Sequence, residues 1–368
     1  MCIRDRAGAP FISYLALERE VSPAGAGARI WRTPSGAVLL DLREALRHTG
    51  PRGPWLDEET HLRASPPADL LDKAGEDWML PATLKPVEKR TLDVIADWPW
   101  LKPAHLGMVM GLKRSRLSEI VTELTSLGLA LDARIEGTRR LTVADRGLAM
   151  LARRDRASVG AAKERWSPVP LDGGDWRNVS GRRSRQLLRN IEHTEAVHSF
   201  IAVLSRQARS RSREILQLDP PLRASRYFRH DDRLRSIHPD AFGVLRWREA
   251  TWSFFLEWER RAVRPVTMTA RLAPYLRYYS SRRPTDDHGS LPHVLVVFHD
   301  ELAATHFLRI AGEETARAGA DLPLLVSHRE LVRQEGPLGR AWLAQGGSEP
   351  TYAFTAAGHD SRLRRTGT

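Results

Sequence analysis

The stretch Pro239-Asp240, followed 17 positions later by Glu257 and Glu259 inside FFLEWER (254–260), decides how this chain is read. Apolar residues flank these acids as they would in two neighbouring strands that end in carboxylates. Side chains alternate faces along a strand, so Glu257 and Glu259 point one way and Trp258 the other. Asp240, at the end of the neighbouring strand, completes a three-carboxylate cluster. Like charges this close raise one another's pKa unless a cation neutralises them. Mg²⁺ takes oxygen ligands, commonly one or two carboxylates with water and phosphate, and a metal held there could activate water and stabilise a leaving oxygen. The expected metal ligands are Asp240 and Glu257. The competing reading pairs Glu257 and Glu259 with Arg246, Arg248 or Arg260 on an exposed strand face.

The surrounding composition points toward a polyanion. The chain has 368 residues, 57 Lys and Arg against 45 Asp and Glu, and a net charge of +12, with a pI near 10.4. Most of the cations are arginines, which grip phosphate bidentately, so nucleic acid is the first partner to consider. A GC-rich genome would enrich Arg, Ala, Gly and Pro with no function attached. The single cysteine, Cys2, excludes a disulfide framework and a Cys-based zinc site, and suits a reducing cytoplasm. No apolar run reaches the roughly 18–20 residues that span a bilayer, and no signal-peptide core is present. The opening MCIRDRAGAP fits no pattern and reads as a truncated or misassembled end.

Upstream of the acids the pattern is helical. Leu92, Ile95 and Ala96 mark a helix from Val87 that stops at Trp98-Pro99. A second helix covers Pro103 to Met110, before Gly111. A third, from Arg114 to Leu127, carries Leu117, Ile120, Val121 and Leu124 at core spacing and ends at Gly128. A hairpin, 129–135 and 139–143 around Glu136-Gly137-Thr138, and a closing helix from Asp145 to Arg154 complete a winged helix-turn-helix over 84–155. Its third helix opens with Lys113, Arg114, Ser115, Arg116 and Ser118, positions that meet base edges in a major groove. Arg134, Arg139 and Arg140 are expected on the wing, facing phosphate.

Residues 1–83 form an N-terminal region whose segment 28–42 parallels 139–152 as strand, turn and apolar helix. They read as a remnant of another winged unit followed by a Pro- and acid-rich linker. Residues 156–184 read as a second linker. From 185 to 346 the pattern gives a long helix (187–208), a strand near 214–218, an irregular segment, strands near 235–245 and 251–259, and a helix over 267–280. Strand 293–298, helix 301–318 and strand 322–327 follow, so the class is mixed α/β (α+β multidomain). GPLGRAWL (336–343) reads as a terminal turn and 347–368 as a disordered tail. Trp252, Phe254, Tyr275, Tyr278 and Tyr279 have core spacing first and base stacking as the alternative. His193 and His198 are five apart and do not share a helical face as a metal pair would; His193 reads as a hydrogen-bonding helix residue, and His230-Asp231-Asp232 as a solvated loop. No Walker A, GxGxxG or GxSxG signature occurs.

Taken in order, LTVADRGLAMLARRD (141–155), IEHTEAVHSFI (191–201), Pro239-Asp240, FFLEWER, RLAPYLRYY (271–279) and LPHVLVVF (291–298) resemble the replication-relaxation family of plasmid and integrative-element proteins, over about residues 85–345. The resemblance implies a winged helix joined to a PD-(D/E)xK nuclease-like domain, and an association with plasmid replication and DNA relaxation. It assigns Asp240 and Glu257 as metal-binding acids, puts Glu259 where the family tends to have Asp, and matches His193-Thr194 to a His-Thr pair in the first helix of that domain. The chain departs from active nucleases of this fold, which use a lysine at the third position. No lysine follows Lys163, and Arg271 is the positional substitute, able to clamp phosphate but a poor proton acceptor.

Two functions stay open at this point. One is a cytoplasmic accessory factor for plasmid or mobile-element replication and relaxation that binds double-stranded DNA. It would have a Mg²⁺-dependent nicking or cleaving activity through Asp240, Glu257, Glu259 and Arg271 if it is an enzyme. The other is a non-enzymatic winged-helix transcriptional regulator whose α/β domain serves dimerisation or partner binding. A homodimer, or contact with replication or mobilisation proteins, fits either.

Overall fold

A computed structural model describes the strand segments 18–21, 29–32 and 38–40, and then residues 80–171, 176–259, 265–347 and 349–354. The chain divides into two units, Met1–Lys85 with Leu148–Lys163, and Pro86–Gly147 with Glu164–Thr368. In the first, β1 (Glu18–Val21), β2 (Arg29–Arg32) and β3 (Val38–Leu40) form an antiparallel sheet in that order, and a short helix α1 covers Leu80–Thr83. Val38–Leu40 is therefore not the start of an apolar helix. It returns along β2, with Ile30 opposite Leu40, and the parallel between 28–42 and 139–152 fails there. A three-residue apolar run suits either period, and its antiparallel pairing with β2 decides for a strand. Of the linker expected over 51–82, residues 51–79 lie outside the described residues and the remainder falls in α1.

The second unit opens with α2 (Pro86–Asp97), α3 (Pro103–Met110) and α4 (Arg114–Ser126), then β4 (Ala130–Ile135) and β5 (Thr138–Val143). Helix α5 (Asp145–Arg154) begins in this unit and crosses into the first. Leu92, Ile95, Leu106, Leu117, Ile120, Val121 and Leu124 are buried, as their 3.6-residue spacing requires. Glu136 (φ 50°) and Gly137 (φ 76°) both adopt left-handed backbone, the turn that matches the twist of a two-residue hairpin.

The stretch expected to be a linker, 156–184, is structured. Helix α6 spans Val159–Trp166, Pro170 bridges Val179, and α7 (Arg182–Arg189) begins before the stretch ends. Val179 is fully buried in a small core with Trp100, Ala133, Ile135 and Leu188. Its apolar anchors stand singly among polar residues, so composition hides them.

Helix α8 (Ile191–Ser210) leads to the main sheet. In chain order follow β6 (Glu214–Asp219), α9 (Pro221–Ala224), the hairpin β7 (Arg226–His230) and β8 (Arg233–Ile237), β9 (Ala241–Trp247), β10 (Ala250–Trp258), α10 (Pro265–Tyr279) and α11 (Arg283–His288). β11 (His293–Phe298), α12 (Glu301–Ala318), β12 (Leu324–His328), α13 (Arg329–Glu335) and β13 (Leu343–Ala344) complete it. The sheet order is β13-β12-β11-β10-β9-β6. β6, β9 and β10 are antiparallel, and β10, β11 and β12 are parallel. The parallel steps need crossovers, which α10 and α12 supply on one face. There Phe242, Phe255, Tyr275, Tyr278, Val296 and Phe307 share one core. On the other face Phe200 of α8 packs edge-on against Trp258 and Trp342. The mixed α/β class holds.

Three further expectations change. The irregular segment before the acids contains the β7–β8 hairpin, whose turn at Asp231 and Asp232 has positive φ at both residues. The terminal turn at 336–343 is preceded by α13 and buries Trp342 completely. The tail is not disordered where it is described: Thr351 bridges Trp342, and Phe354 packs on Trp252, Phe254 and His293. Residues 355–368 lie outside the description. Trp252, Phe254, Tyr275, Tyr278 and Tyr279 are all buried, which leaves none as a base-stacking platform.

Close packing in the sheet gives one prediction. Gly243 of β9 lies opposite Phe254 of β10, and an added Cβ would sit 2.4 Å from the Phe254 ring. Phe254 is held by Phe354, at 5.6 Å between centroids. Gly243→Ala should therefore cost about 1–3 kcal/mol, read as a lowered denaturant midpoint.

Candidate functional site

Asp240 is stapled between two strands before its side chain is considered. Its N–H donates to the Leu256 carbonyl at 2.8 Å, and the Trp258 N–H donates to Asp240 Oδ2 at 2.8 Å. The other oxygen, Oδ1, lies 2.9 Å from Nε2 of His193, in the first turn of α8. Thr194 fixes the corner that presents His193, donating to the carbonyls of Leu187 and Asn190. Across the strand pair, Tyr275 of α10 donates to Glu257 Oε1 at 2.5 Å. Burial, and then the charge of Asp240, push the Glu257 carboxyl up to about 8, against the opposing influence of Tyr275 and Arg271. Burial and Glu257 likewise push the Tyr275 hydroxyl well above its ordinary range. At neutral pH and without a cation, Glu257 therefore holds a proton.

Glu259 takes a different partner. It is 6% exposed and forms an ion pair with Arg271, one helical turn before Tyr275. Glu257 and Glu259 thus both face α10, while Trp258 faces Phe200, as alternation requires. The alternative pairing fails for two of its three arginines, since Arg246 goes to Glu214 and Arg248 stacks on Trp247, and the face is not exposed. Arg260 lies outside the described residues. The expected three-carboxylate cluster is corrected to two acids beside an ion pair, because Arg271 neutralises Glu259 directly. Arg271 itself is half-exposed, with one guanidinium nitrogen committed to Glu259.

Among the described residues no group of three His, Cys, Asp or Glu side chains is placed to hold a metal ion. Asp240 and Glu257 are the two acids here whose charges act on one another, and their oxygens are the ligand type that Mg²⁺ takes. A carboxylate offers about four lone-pair sites, and the hydrogen bonds above use one on each named oxygen; the Glu257 proton follows first from burial and then from the Asp240 charge, which a cation would offset. Such an ion would complete its shell with water and phosphate. Beside the pair, a cavity of about 340 Å³ has Glu257, Glu259, Arg271 and Tyr275 on its polar side and Met268, Val296 and Phe298 among its apolar walls.

The residues expected to touch DNA separate into two groups. Lys113, Arg114, Ser115, Arg116 and Ser118 are exposed on the first turns of α4, with Arg116 donating to Glu119 at 2.7 Å. Arg134 and Arg139 are exposed on the hairpin, and Arg139 forks onto Asp132 of the facing strand. Arg140 does not belong with them. Its neighbour Arg139 faces outward, so Arg140 faces in, where it is 4% exposed and pairs with Glu195 of α8 at 2.5 Å. Lys102 closes on the same carboxylate. Burial alone would raise Glu195, but hydrogen bonds from Lys102 and Arg140 hold its carboxyl below the usual range. His198, buried edge-on against Trp98 at 6.0 Å, is pushed down to about 3 by burial first and then by its neighbours His105, Arg140 and His193, and stays neutral.

Two groups in the site were not assigned to it from sequence: His193 as the partner of Asp240, and Tyr275 as the partner of Glu257. The signal for Tyr275 was present, since it follows Arg271 by four residues and so shares its helical face. No protein-family model, curated protein or solved structure matches the chain. No helix among the described residues is long and apolar enough to cross a membrane.

Proposed function

We propose that this protein binds double-stranded DNA as an accessory factor of plasmid or mobile-element replication and relaxation, with α4 as the reading helix and the β4–β5 hairpin as the wing. The observation that carries this reading is α4 itself. Its Leu117, Ile120, Val121 and Leu124 stripe is buried, while Lys113, Arg114, Ser115, Arg116 and Ser118 at its start are exposed, the side on which a recognition helix meets base edges. In the main sheet and the helices that flank it, the sequence α8, β6, β9, β10, α10, β11, interrupted by α9, the β7–β8 hairpin and α11, with Asp240 and Glu257 at adjacent strand ends, supports a PD-(D/E)xK-like ancestry.

The chemistry at that end is limited by its residues. Mg²⁺, held by Asp240 and Glu257, would supply an activated water and charge stabilisation at a leaving oxygen. His193 and the Trp258 N–H orient Asp240, and Tyr275 orients Glu257. At the third position the Glu259–Arg271 pair offers no proton acceptor comparable to lysine. That pair favours positioning DNA over cutting it, and it is the observation in favour of the second reading, a non-enzymatic regulator acting with a second copy or another protein.

Titration of a fluorescent duplex tests the proposal. With four to six phosphate contacts, affinity should fall roughly 10²–10³-fold between 50 and 200 mM salt; a protein that fails to bind duplex DNA at 50 mM salt would remove the reading. Supercoiled plasmid incubated with Mg²⁺ or Mn²⁺ separates the two versions of it. Nicking by the wild type that disappears in Asp240→Ala, with duplex affinity kept, assigns an enzyme. Binding without nicking assigns the regulator.

A further inference from the structure

Helix α7 has the sequence RRSRQLLR, four arginines and no acid in eight residues. Its inner side is fixed. Leu188 joins the core made by Trp100, Ala133, Ile135 and Val179, and the buried hydroxyl of Ser184 accepts from the Trp100 indole at 3.0 Å. At 100° per residue, Arg182, Arg183, Gln186 and Arg189 fall within an arc of about 120° opposite Ser184 and Leu188. Arg182, Arg183, Gln186 and Arg189 are exposed.

This charge works against the helix that carries it. Arg182 and Arg183 in the first turn oppose the helix dipole while Arg189 in the last turn complements it, and like charges three or four apart destabilise a helix by about 0.2–0.5 kcal/mol each. Compensation inside the molecule is slight: Arg182 stands 3.8 Å from the exposed Glu164, Arg183 donates to Gln186, and Arg189 has no ion pair among the described residues. A local rule broken without compensation marks a position shaped by something outside the fold. The helix is about 12 Å long, three to four phosphate steps at 3.4 Å per strand. It runs through Asn190 into α8, where His193 holds Asp240.

We propose that the outer face of α7 is a further DNA-backbone surface, in which Arg182, Arg183 and Arg189 contact phosphates of the duplex beside the Asp240–Glu257 cluster. This rests on the DNA-binding reading above and extends it to a surface separate from α4. The core side of the hairpin, with Ala133 and Ile135, faces α7, whereas Arg134 and Arg139 are on its exposed side. Contacts from α7 are to phosphate and carry no sequence preference.

The test is a salt titration of duplex affinity by fluorescence anisotropy with the full chain, comparing wild type, the triple variant Arg182→Ala/Arg183→Ala/Arg189→Ala, the corresponding triple lysine variant, and Lys113→Ala/Arg114→Ala. Each lost phosphate contact lowers the slope of log affinity against log salt by about 0.9. The alanine triple should lower it by about 2.7 and weaken binding roughly 10²-fold at 100 mM salt, equally for unrelated sequences. The lysine triple should retain most of the slope. Alanine favours helix and removes the repulsion, so the melting temperature should not fall, which separates lost contact from lost fold. If the wild type binds and the alanine triple keeps its slope, the α7 surface is overturned and α4 stands. If the wild type does not bind, the DNA reading itself has failed.

Discussion

Glu195→Ala is expected to destabilise the Pro86–Gly147 and Glu164–Thr368 unit by about 2–3 kcal/mol, lowering the melting temperature by roughly 5–10 °C. The reason is what it leaves behind. The Arg140 side chain is 5% exposed and finds its counter-charge in Glu195, which Lys102 shares. An arginine cation stays charged in any protein environment, so removing the carboxylate strands one charge and crowds it against another. The cost stays below the usual range for a broken buried pair because Glu195 is itself 32% exposed and water can partly replace it. Glu195→Gln keeps hydrogen-bond capacity and should fall between the two. Differential scanning calorimetry at pH 7 reads the effect, and an unchanged melting temperature in the alanine variant would show that the clamp contributes nothing.

Glu257→Gln should act in the opposite direction, and only in part of the pH range. The folded protein holds the Glu257 proton up to about pH 8, against an ordinary value of 4.5. A raised carboxyl means that the native state binds more protons than the unfolded chain between those values, so stability falls as pH rises through the window. Below about pH 4.5 the residue imposes no penalty; above about pH 8 the penalty is complete. Glutamine resembles the protonated acid at every pH. In metal-free buffer the variant should therefore melt with the wild type near pH 4.5 and several degrees above it at pH 9. Adding Mg²⁺ at pH 9 should raise the wild type and leave the variant unmoved. A variant less stable than the wild type at pH 9 would falsify the assignment of a strained carboxylate at this position.

How much of this was legible depends on the distance over which each signal acts. The α4 stripe at Leu117, Ile120, Val121 and Leu124, the breaks at Gly111 and Gly128, and the apolar run His293–Phe298 are local patterns, and the structure follows them closely. Helix α7, the β7–β8 hairpin and the segment around Trp342 and Phe354 are anchored by single apolar residues that acquire meaning only against distant partners, such as Val179 against Trp100. The site divides in the same way. Asp240 and Glu257 were readable because strand ends and alternation place them. The bonds from His193 and Tyr275 were not, since each joins a helix to a strand end far away in sequence. Arg140 is a different case. Alternation along a strand requires Arg139 and Arg140 to face opposite ways, so of the two only Arg139 shares the exposed side of the hairpin with Arg134.

Helix α8 carries an implication of its own. Within one run of backbone, His193 holds Asp240, Glu195 holds the hairpin, Phe200 supports Trp258, and Gln207 and Arg209 reach Leu338 and the carbonyl of Val109. His193 and Glu195 are two residues apart, about 3 Å along the axis. The hairpin and the acid pair therefore hang from a single rigid beam. Any ligand that displaces one end by levering this helix alters affinity at the other by a factor that is the same in both directions, whichever ligand arrives first.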